Sequence, residues 1–199
     1  MKMEIVVATR NKGKMKEICS FGLPMITFTS LQKYPEIGEI EETGTTFEQN
    51  ALIKARFVCN STGLPALADD SGLIVDALNG EPGVFSARYG NLQTDEERYR
   101  LVLQKMIHVP YKKRTARFIC IMALVFPDGR EFVCEGSCEG MIARAPSGDN
   151  GFGYDPIFYI PELGQTMAQL PLEIKNSISH RAQALKKVKL LLEEIVKNN

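Results

Sequence analysis

Apolar positions along the chain change their period several times, and each change marks an element. Met3 to Ala8 is a short apolar run that reads as a first strand, and Gly13 to Phe21 reads as a helix stopped by Gly22 and Pro24. Ile26 to Leu31 forms a second strand. Thr45-x-x-Glu48 has the form of a capping box, in which a hydroxyl and a carboxylate satisfy two orphan N–H groups at a helix start. Phe47, Ala51, Ala55 and Val58 then recur at helical spacing until Gly63 and Pro65, which puts Asn50 and Lys54 together on another face. Leu64 to Ala68 and Leu73 to Leu78 are apolar segments on either side of Asp69-Asp70-Ser71-Gly72. That acidic stretch is expected to be a turn that interrupts or ends buried strands.

A second capping box, Thr94-x-x-Glu97, opens a helix to about His108. Thr115 to Phe126 is apolar on both alternating faces, the signature of a central strand covered on both sides, and Pro127-Asp128-Gly129 turns it back. Glu131 to Ala143 is then the returning arm of a long hairpin. From Ser179 onward, Leu185, Val188, Leu192 and Ile195 form the apolar stripe of an amphipathic helix. The predicted class is α/β with a mixed sheet. No linker, repeat or low-complexity segment divides the 199 residues, so a single domain over 1–199 is expected.

Charge narrows the partners. Lys plus Arg equals Asp plus Glu at 24 each, so no net field draws the protein to nucleic acid or to an anionic membrane, and any anion must be held by a local cluster. Phe118 to Phe126, the longest apolar stretch, is far short of the roughly 20 residues a membrane helix needs. The N-terminal stretch suits a strand better than a signal peptide, and the expected location is cytoplasmic. Five scattered cysteines in mostly apolar settings fit buried reduced thiols, which argues against both a disulfide framework and a thiol-dependent enzyme.

Four segments carry candidate chemistry. Thr9-Arg10-Asn11-Lys12-Gly13-Lys14 leaves a strand and enters a helix, where free N–H groups favour an anion. It departs from the P-loop pattern, since Ala8 stands for the first glycine and Met15 for the magnesium-binding hydroxyl. Cations at a helix start oppose its dipole, so the cluster points either to a solvated turn or to an anionic partner. Asp69-Asp70-Ser71-Gly72 offers two adjacent carboxylates, of which strand alternation aims one at the chemistry. A hard cation such as magnesium takes one or two carboxylates and keeps waters and phosphates as its other ligands; Glu41 or Glu42 could provide the second. Ser147 to Pro156 is rich in glycine and carries Phe152 and Tyr154, two flat surfaces for a base or two core plugs. Within it Asp155, before Pro156, is expected to be extended. Lys175-Asn176-Ser177-Ile178-Ser179-His180-Arg181 again places cations at a probable helix start.

In this order the segments resemble the Ham1 family, the inosine triphosphatase-like pyrophosphatases of non-canonical purine nucleoside triphosphates. The likeness runs from Val7 to Leu185 and rests on Thr9-x-Asn11-x-x-Lys14, Glu42-Thr43-Gly44, Asn50-Ala51 with Lys54-Ala55, Asp69-Asp70-Ser71-Gly72-Leu73, Pro82-Gly83 with Ser86-Ala87-Arg88, Gly151-Phe152-Gly153-Tyr154-Asp155-Pro156, and Lys175-Asn176 with Ser179-His180-Arg181. The resemblance implies an elongated two-lobed α/β fold around a long mixed β-sheet flanked by helices, with the active-site cleft between lobes and usually a homodimer. It implies that Thr9, Arg10, Asn11, Lys12, Gly13 and Lys14 bind phosphates, that Asp70 is the proton acceptor, and that Glu42 and Asp70 hold Mg2+. Ser71 would contact substrate, while Phe152, Gly153, Tyr154 and Asp155 would shape the base pocket that Lys175, His180 and Arg181 complete. Two departures bear on local packing: a short Gly22-Leu23-Pro24 segment, and Gln169 where an acidic residue is commoner.

Overall fold

The computed structural model describes residues 2–22 and 25–197. Leu23 and Pro24, the end of the expected stop signal and part of the short segment, lie outside them. Among the described residues one sheet contains β1 (Met3–Val7), β2 (Ile26–Ser30), β3 (Ala66–Val75), β4 (Thr115–Val125), β5 (Glu131–Ile142), β6 (Phe158–Ile160) and β7 (Gln165–Thr166), in the order β2-β1-β3-β4-β5-β6-β7. β1 is parallel to β2 and β3, whereas β6 is antiparallel to β5 and β7, so the sheet is mixed as the patterning predicts. The helices are α1 (Lys12–Ser20), α2 (Phe47–Thr62), α3 (Asp95–Lys105), α4 (Leu172–Ile178) and α5 (His180–Lys197).

The chain divides into two compact units. One comprises Met1–Asp70, Cys120–Gly136 and Gln183–Asn199; the other comprises Ser71–Ile119 and Ser137–Ala182. Each has its own core. In the first, Ile5, Val7 and Leu67 pack with Met122 and Leu124, and the predicted stripe of Leu185, Val188, Leu192 and Ile195 closes over them. In the second, Leu73, Val75, Phe118, Ile142, Ile157 and Phe158 form the centre, with Val102 and Met106 against them.

Local chemistry accounts for the helix ends. α3 starts at the predicted capping box, with Thr94 and Glu97 exchanging hydrogen bonds. At α2 the cap is shifted by one residue from the expected Thr45: Thr46 Oγ1 accepts from Gln49 N, and Gln49 Oε1 accepts from Thr45 N. Either threonine fits the motif, and the glutamine at the third helical position decides between them. α2 stops at Gly63, whose φ of 66° is left-handed, as a glycine cap allows. Gln169, at the second departure from the family pattern, caps a short 3-10 turn by accepting from Thr166 N at 2.8 Å.

Three expectations need correction. Asp69-Asp70-Ser71-Gly72 is no turn but the middle of β3, which runs unbroken for 10 residues. Pattern rules send acids to turns because an unpaired buried charge is prohibitively costly. Here Lys14 and Lys54 supply partners, and the strand continues. Asp155 is not extended before Pro156; it opens a 3-10 turn over Asp155–Ile157, with Pro156 inside the first turn. The steric effect of proline on its predecessor is a preference, and hydrogen bonds to the Asp155 carboxylate override it. Finally, Lys175 does not stand at the start of the last helix but in the last turn of α4, a separate seven-residue helix that ends before α5.

Arg114 ties the second unit together. It is only 3% exposed and is held by carbonyls: Nε donates to Ile142 O at 2.8 Å, Nη1 to Met106 O at 2.6 Å and Nη2 to Ala143 O at 2.9 Å. Burial holds this guanidinium below its ordinary pKa, and neighbouring Arg144 adds to the effect. The fork thus fastens the end of α3 to the end of β5. Arg114→Met should lower unfolding free energy by about 3 kcal/mol, because buried carbonyls lose their donors. Arg114→Lys, with a single point of donation, should recover only part of the loss in urea denaturation.

Candidate active site

In the first unit the basic turn is built on the start of α1. Asn11 caps the helix, its Oδ1 accepting from Lys14 N at 3.0 Å, and Thr9 Oγ1 accepts from Asn11 N at 3.1 Å. The turn is therefore fixed while the remaining N–H groups of the first helical turn, beginning at Lys12 and Gly13, have no intrahelical acceptor. Its cations have separate fates. The Arg10 guanidinium donates to the Ile37 carbonyl and anchors a loop, Lys12 is exposed, and Lys14 extends its ammonium to Asp69 Oδ1 at 3.0 Å.

α2 carries the opposing half of this arrangement. Asn50 and Lys54 lie one turn apart and are both buried, as their shared face requires. Lys54 Nζ stands 2.6 Å from Glu42 Oε1 and 3.1 Å from Asp70 Oδ1, so one ammonium bridges two carboxylates. Asn50 Oδ1 accepts from Gly44 N at 2.8 Å and pins the loop that bears Glu42. A side chain at position 44 would put its Cβ 2.6 Å from that oxygen, which explains the glycine. Glu41, the other candidate in this loop, is exposed, and Glu42 is the one brought to Lys54.

The charges shift one another. Burial raises the Asp70 carboxyl above its ordinary value, with Glu42 adding to the rise and Lys54 and Lys14 opposing it. Burial pulls the Lys54 ammonium down, but Asp70, Asp69 and Glu42 together outweigh it and the net shift is upward. Asp70 Oδ2 is buried without a hydrogen-bond partner, the state of an oxygen with coordination capacity to spare. Among the described residues no group of three or more His, Cys, Asp or Glu forms a cage for a metal ion. Two carboxylates suit an ion that completes its shell with water and phosphate oxygen.

In the second unit the glycine-rich loop folds around Asp155. Its Oδ2 accepts from Phe152 N at 2.9 Å and from Lys175 Nζ at 2.6 Å, both residues of this ion pair being 3% exposed. The Phe152 ring has the Lys175 ammonium 4.7 Å and the Arg181 guanidinium 5.5 Å from its centroid, both within cation–π range. Arg181, itself buried, donates to Ser71 Oγ at 3.3 Å. The buried His180 ring stacks on Phe118 at 4.7 Å. The two aromatics of the loop differ: Tyr154 is a core residue whose hydroxyl donates to Ser86 O at 2.8 Å and whose pKa burial drives well up, whereas Phe152 is half-buried.

Phe118 and Asp95 contact candidate site residues, and the sequence reading missed both. Asp95 Oδ2 accepts from Gly153 N at 2.7 Å, and the capping box placing Asp95 in the first turn of α3 was the available signal. Phe118 carried no signal beyond its apolar strand. A hollow of about 440 Å3 in this unit is lined by Asp95, Glu96, Tyr99 and the loop from Pro146 to Gly153, and Lys175, His180 and Arg181 are not among its walls. Burial raises the thiol pKa of Cys19, Cys59 and Cys134, and that of Cys138 to about 11, which disfavours these four as thiolate nucleophiles.

The model of the Ham1 family matches residues 5–191. The chain is 54% identical over 184 residues to the dITP/XTP pyrophosphatase of Geobacter sulfurreducens, covering 91% of this chain and 92% of that one. It is 50% identical over 185 residues to the enzyme of the same name from Thermus thermophilus, covering 92% and 89%. The solved structure of a HAM1 protein from Coxiella burnetii superposes with a TM-score of 0.87 at 47% identity, over 96% of this chain and 99% of that one.

Two glycines of the loop should respond differently to substitution. A Cβ at Gly151 would lie 2.0 Å from Asp155 Oδ2, and its φ is +81°; at Gly153, φ is +64° but nothing lies within 4 Å. Gly153→Ala should therefore cost about 1 kcal/mol, the strain of the left-handed conformation alone. Gly151→Ala should cost at least about 2 kcal/mol more, because it also displaces a buried ion pair. Thermal melts of the two variants give the comparison.

Proposed function

We propose, from the premise that this chain belongs to the Ham1 family, that it hydrolyses non-canonical purine nucleoside triphosphates (ITP, dITP and XTP) to the monophosphate and pyrophosphate. The observation that carries the reading is the network of buried Lys54 and Asp70 with half-buried Glu42, in which Asp70 Oδ2 has no hydrogen-bond partner. Residues 1–199 form one pyrophosphatase domain in this reading, and the family model spanning 5–191 supports that extent.

The start of α1 receives the phosphates. Thr9, Asn11 and Gly13 shape the turn, its N–H groups face the anion, and Arg10, Lys12 and Lys14 supply charge. Asp70 accepts the proton of the water that attacks the α phosphorus, a task suited to a carboxylate whose proton affinity burial has raised. Lys12, Lys14 and Lys54 stabilise the charge gathering on the departing pyrophosphate. Glu42 and Asp70 are the residues that would hold Mg2+, which when bound offsets phosphate charge and lowers the pKa of a water.

Base selection falls to the second unit. Inosine and xanthine carry a 6-oxo acceptor where adenine has an amino donor, and His180 and Arg181 are buried donors that suit the oxo group and oppose the amino group. Phe152, Gly153, Tyr154 and Asp155 shape the pocket, Lys175 holds Asp155, and Ser71 contacts substrate. Phe152 is the aromatic face in this scheme and Tyr154 its support from the core. By the family likeness the enzyme is a homodimer, while the N-terminal pattern favours the cytoplasm and the charge balance argues against a nucleic acid or membrane partner. No helix among the described residues is long and apolar enough to cross a membrane.

A panel of ITP, dITP, XTP, GTP and ATP, assayed separately for pyrophosphate and for orthophosphate with and without Mg2+, tests the reading. Pyrophosphate from the first three, dependent on the metal, is expected; orthophosphate as the first product would refute it. Asp70→Asn should lower kcat by about 10²–10⁴-fold, the usual contribution of a general base. Full turnover in that variant would exclude the proposed proton acceptor.

A further inference from the structure

The groups assigned to the triphosphate and those assigned to the metal are bound to one another in this structure. Lys14 is paired with Asp69 at 3.0 Å, and Lys54 bridges Glu42 at 2.6 Å and Asp70 at 3.1 Å. These are not surface pairs. The side chains of Asp69 and Asp70 are 0% and 9% exposed, and those of Lys14 and Lys54 are 18% and 11% exposed. In such surroundings a charge cannot be left without a counter-charge at small cost. A cation arriving alone at Glu42 and Asp70 meets a carboxylate pair whose charge Lys54 already offsets in part and whose position it already occupies, and an anion arriving alone at the turn meets a Lys14 already committed to Asp69.

We infer that these ion pairs are a charge latch: Lys14 and Lys54 are held by Asp69, Glu42 and Asp70 until polyphosphate and divalent cation arrive together and exchange partners with them. Within it Asp69 is a positioning residue that stores Lys14 and has no part in the metal or proton-acceptor set. The inference rests on the functional reading above for the identity of the two ligands, but on distances and burial alone for the pairing. In the exchange the ammonium groups turn to phosphate while Glu42 and Asp70 turn to the cation, so each of these gains a partner of opposite charge, and only Asp69 gives up its own. Binding of either ligand releases groups the other needs, so each should raise the other's affinity, reciprocally. Asn50, through Gly44, keeps Glu42 within reach of Lys54 and so maintains the resting arrangement.

The test measures binding to the full-length protein without nucleotide and without turnover. Calorimetric titration with Mg2+ alone should show weak binding to the wild type and to Lys54→Arg, which keeps the bridging charge, and at least tenfold tighter binding to Lys54→Met. Equal affinity for Mg2+ in wild type and Lys54→Met would overturn the latch. Because Lys54→Met leaves buried carboxylates uncompensated and can fail to fold, a second arm uses Asp69→Asn and inorganic tripolyphosphate in the presence of chelator. Asp69→Asn should bind tripolyphosphate at least fivefold more tightly than wild type, and the gain should vanish when Lys14→Ala is added, as a double-mutant cycle detects. No gain, or a gain that survives loss of Lys14, would overturn the role of Asp69. Failure here with pyrophosphate still released from ITP would leave the enzymatic reading intact, whereas the expected binding without turnover would refute that reading and keep the latch.

Discussion

Two adjacent carboxylates in the middle of a buried strand set the terms for the first unit. Asp69 and Asp70 occupy β3 among Ala66, Leu67, Ala68 and Leu73, all fully buried, and such a strand tolerates them only because ammonium groups reach them. Lys14 comes from the first turn of α1 and Lys54 from the buried face of α2, so α1 is tied to Asp69 and α2 to Asp70, its neighbour on the strand. The loop with Glu42 is drawn in by Lys54 and fastened by Asn50 to Gly44. A basic helix start, electrostatically awkward by itself, becomes acceptable once Lys14 is read together with Asp69.

The second unit solves a similar problem with a different device. Asp155 and Lys175 are an equally buried pair, and Asp155 also holds the backbone of its own loop through Phe152 N. Arg181 is among the largest fully buried side chains, and its neighbours are an aromatic face and the Ser71 hydroxyl. Arg114 is satisfied by carbonyls. Such polar groups cost more than apolar ones of equal size and are retained for what they position. In the proposed enzyme they orient donors toward a purine, which requires side chains that cannot move aside.

Much of the architecture was legible in the chain. The long hairpin of β4 and β5 followed from an apolar run over Thr115 to Phe126 and a Pro-Asp-Gly turn; α3 followed from Thr94 and Glu97; and the α5 stripe followed from Leu185, Val188, Leu192 and Ile195. These features are local or periodic, and periodicity survives without tertiary contacts. The candidate segments were also legible, because glycine, paired acids and clustered cations are conspicuous where they stand.

What the sequence by itself determined is which elements form, that the sheet is mixed, and which short segments carry reactive groups. Tertiary structure alone decided that Asp69 and Asp70 lie within a strand, that Glu42 rather than Glu41 meets Lys54, that Tyr154 is core while Phe152 is half-buried, and that Lys175 serves Asp155 from a separate helix. The physical reason is the same in each case. A charge or ring is assigned its place by the partner that compensates it, and those partners lie 12 to 68 positions away, from Glu42–Lys54 to Ser86–Tyr154, where no local pattern can reach.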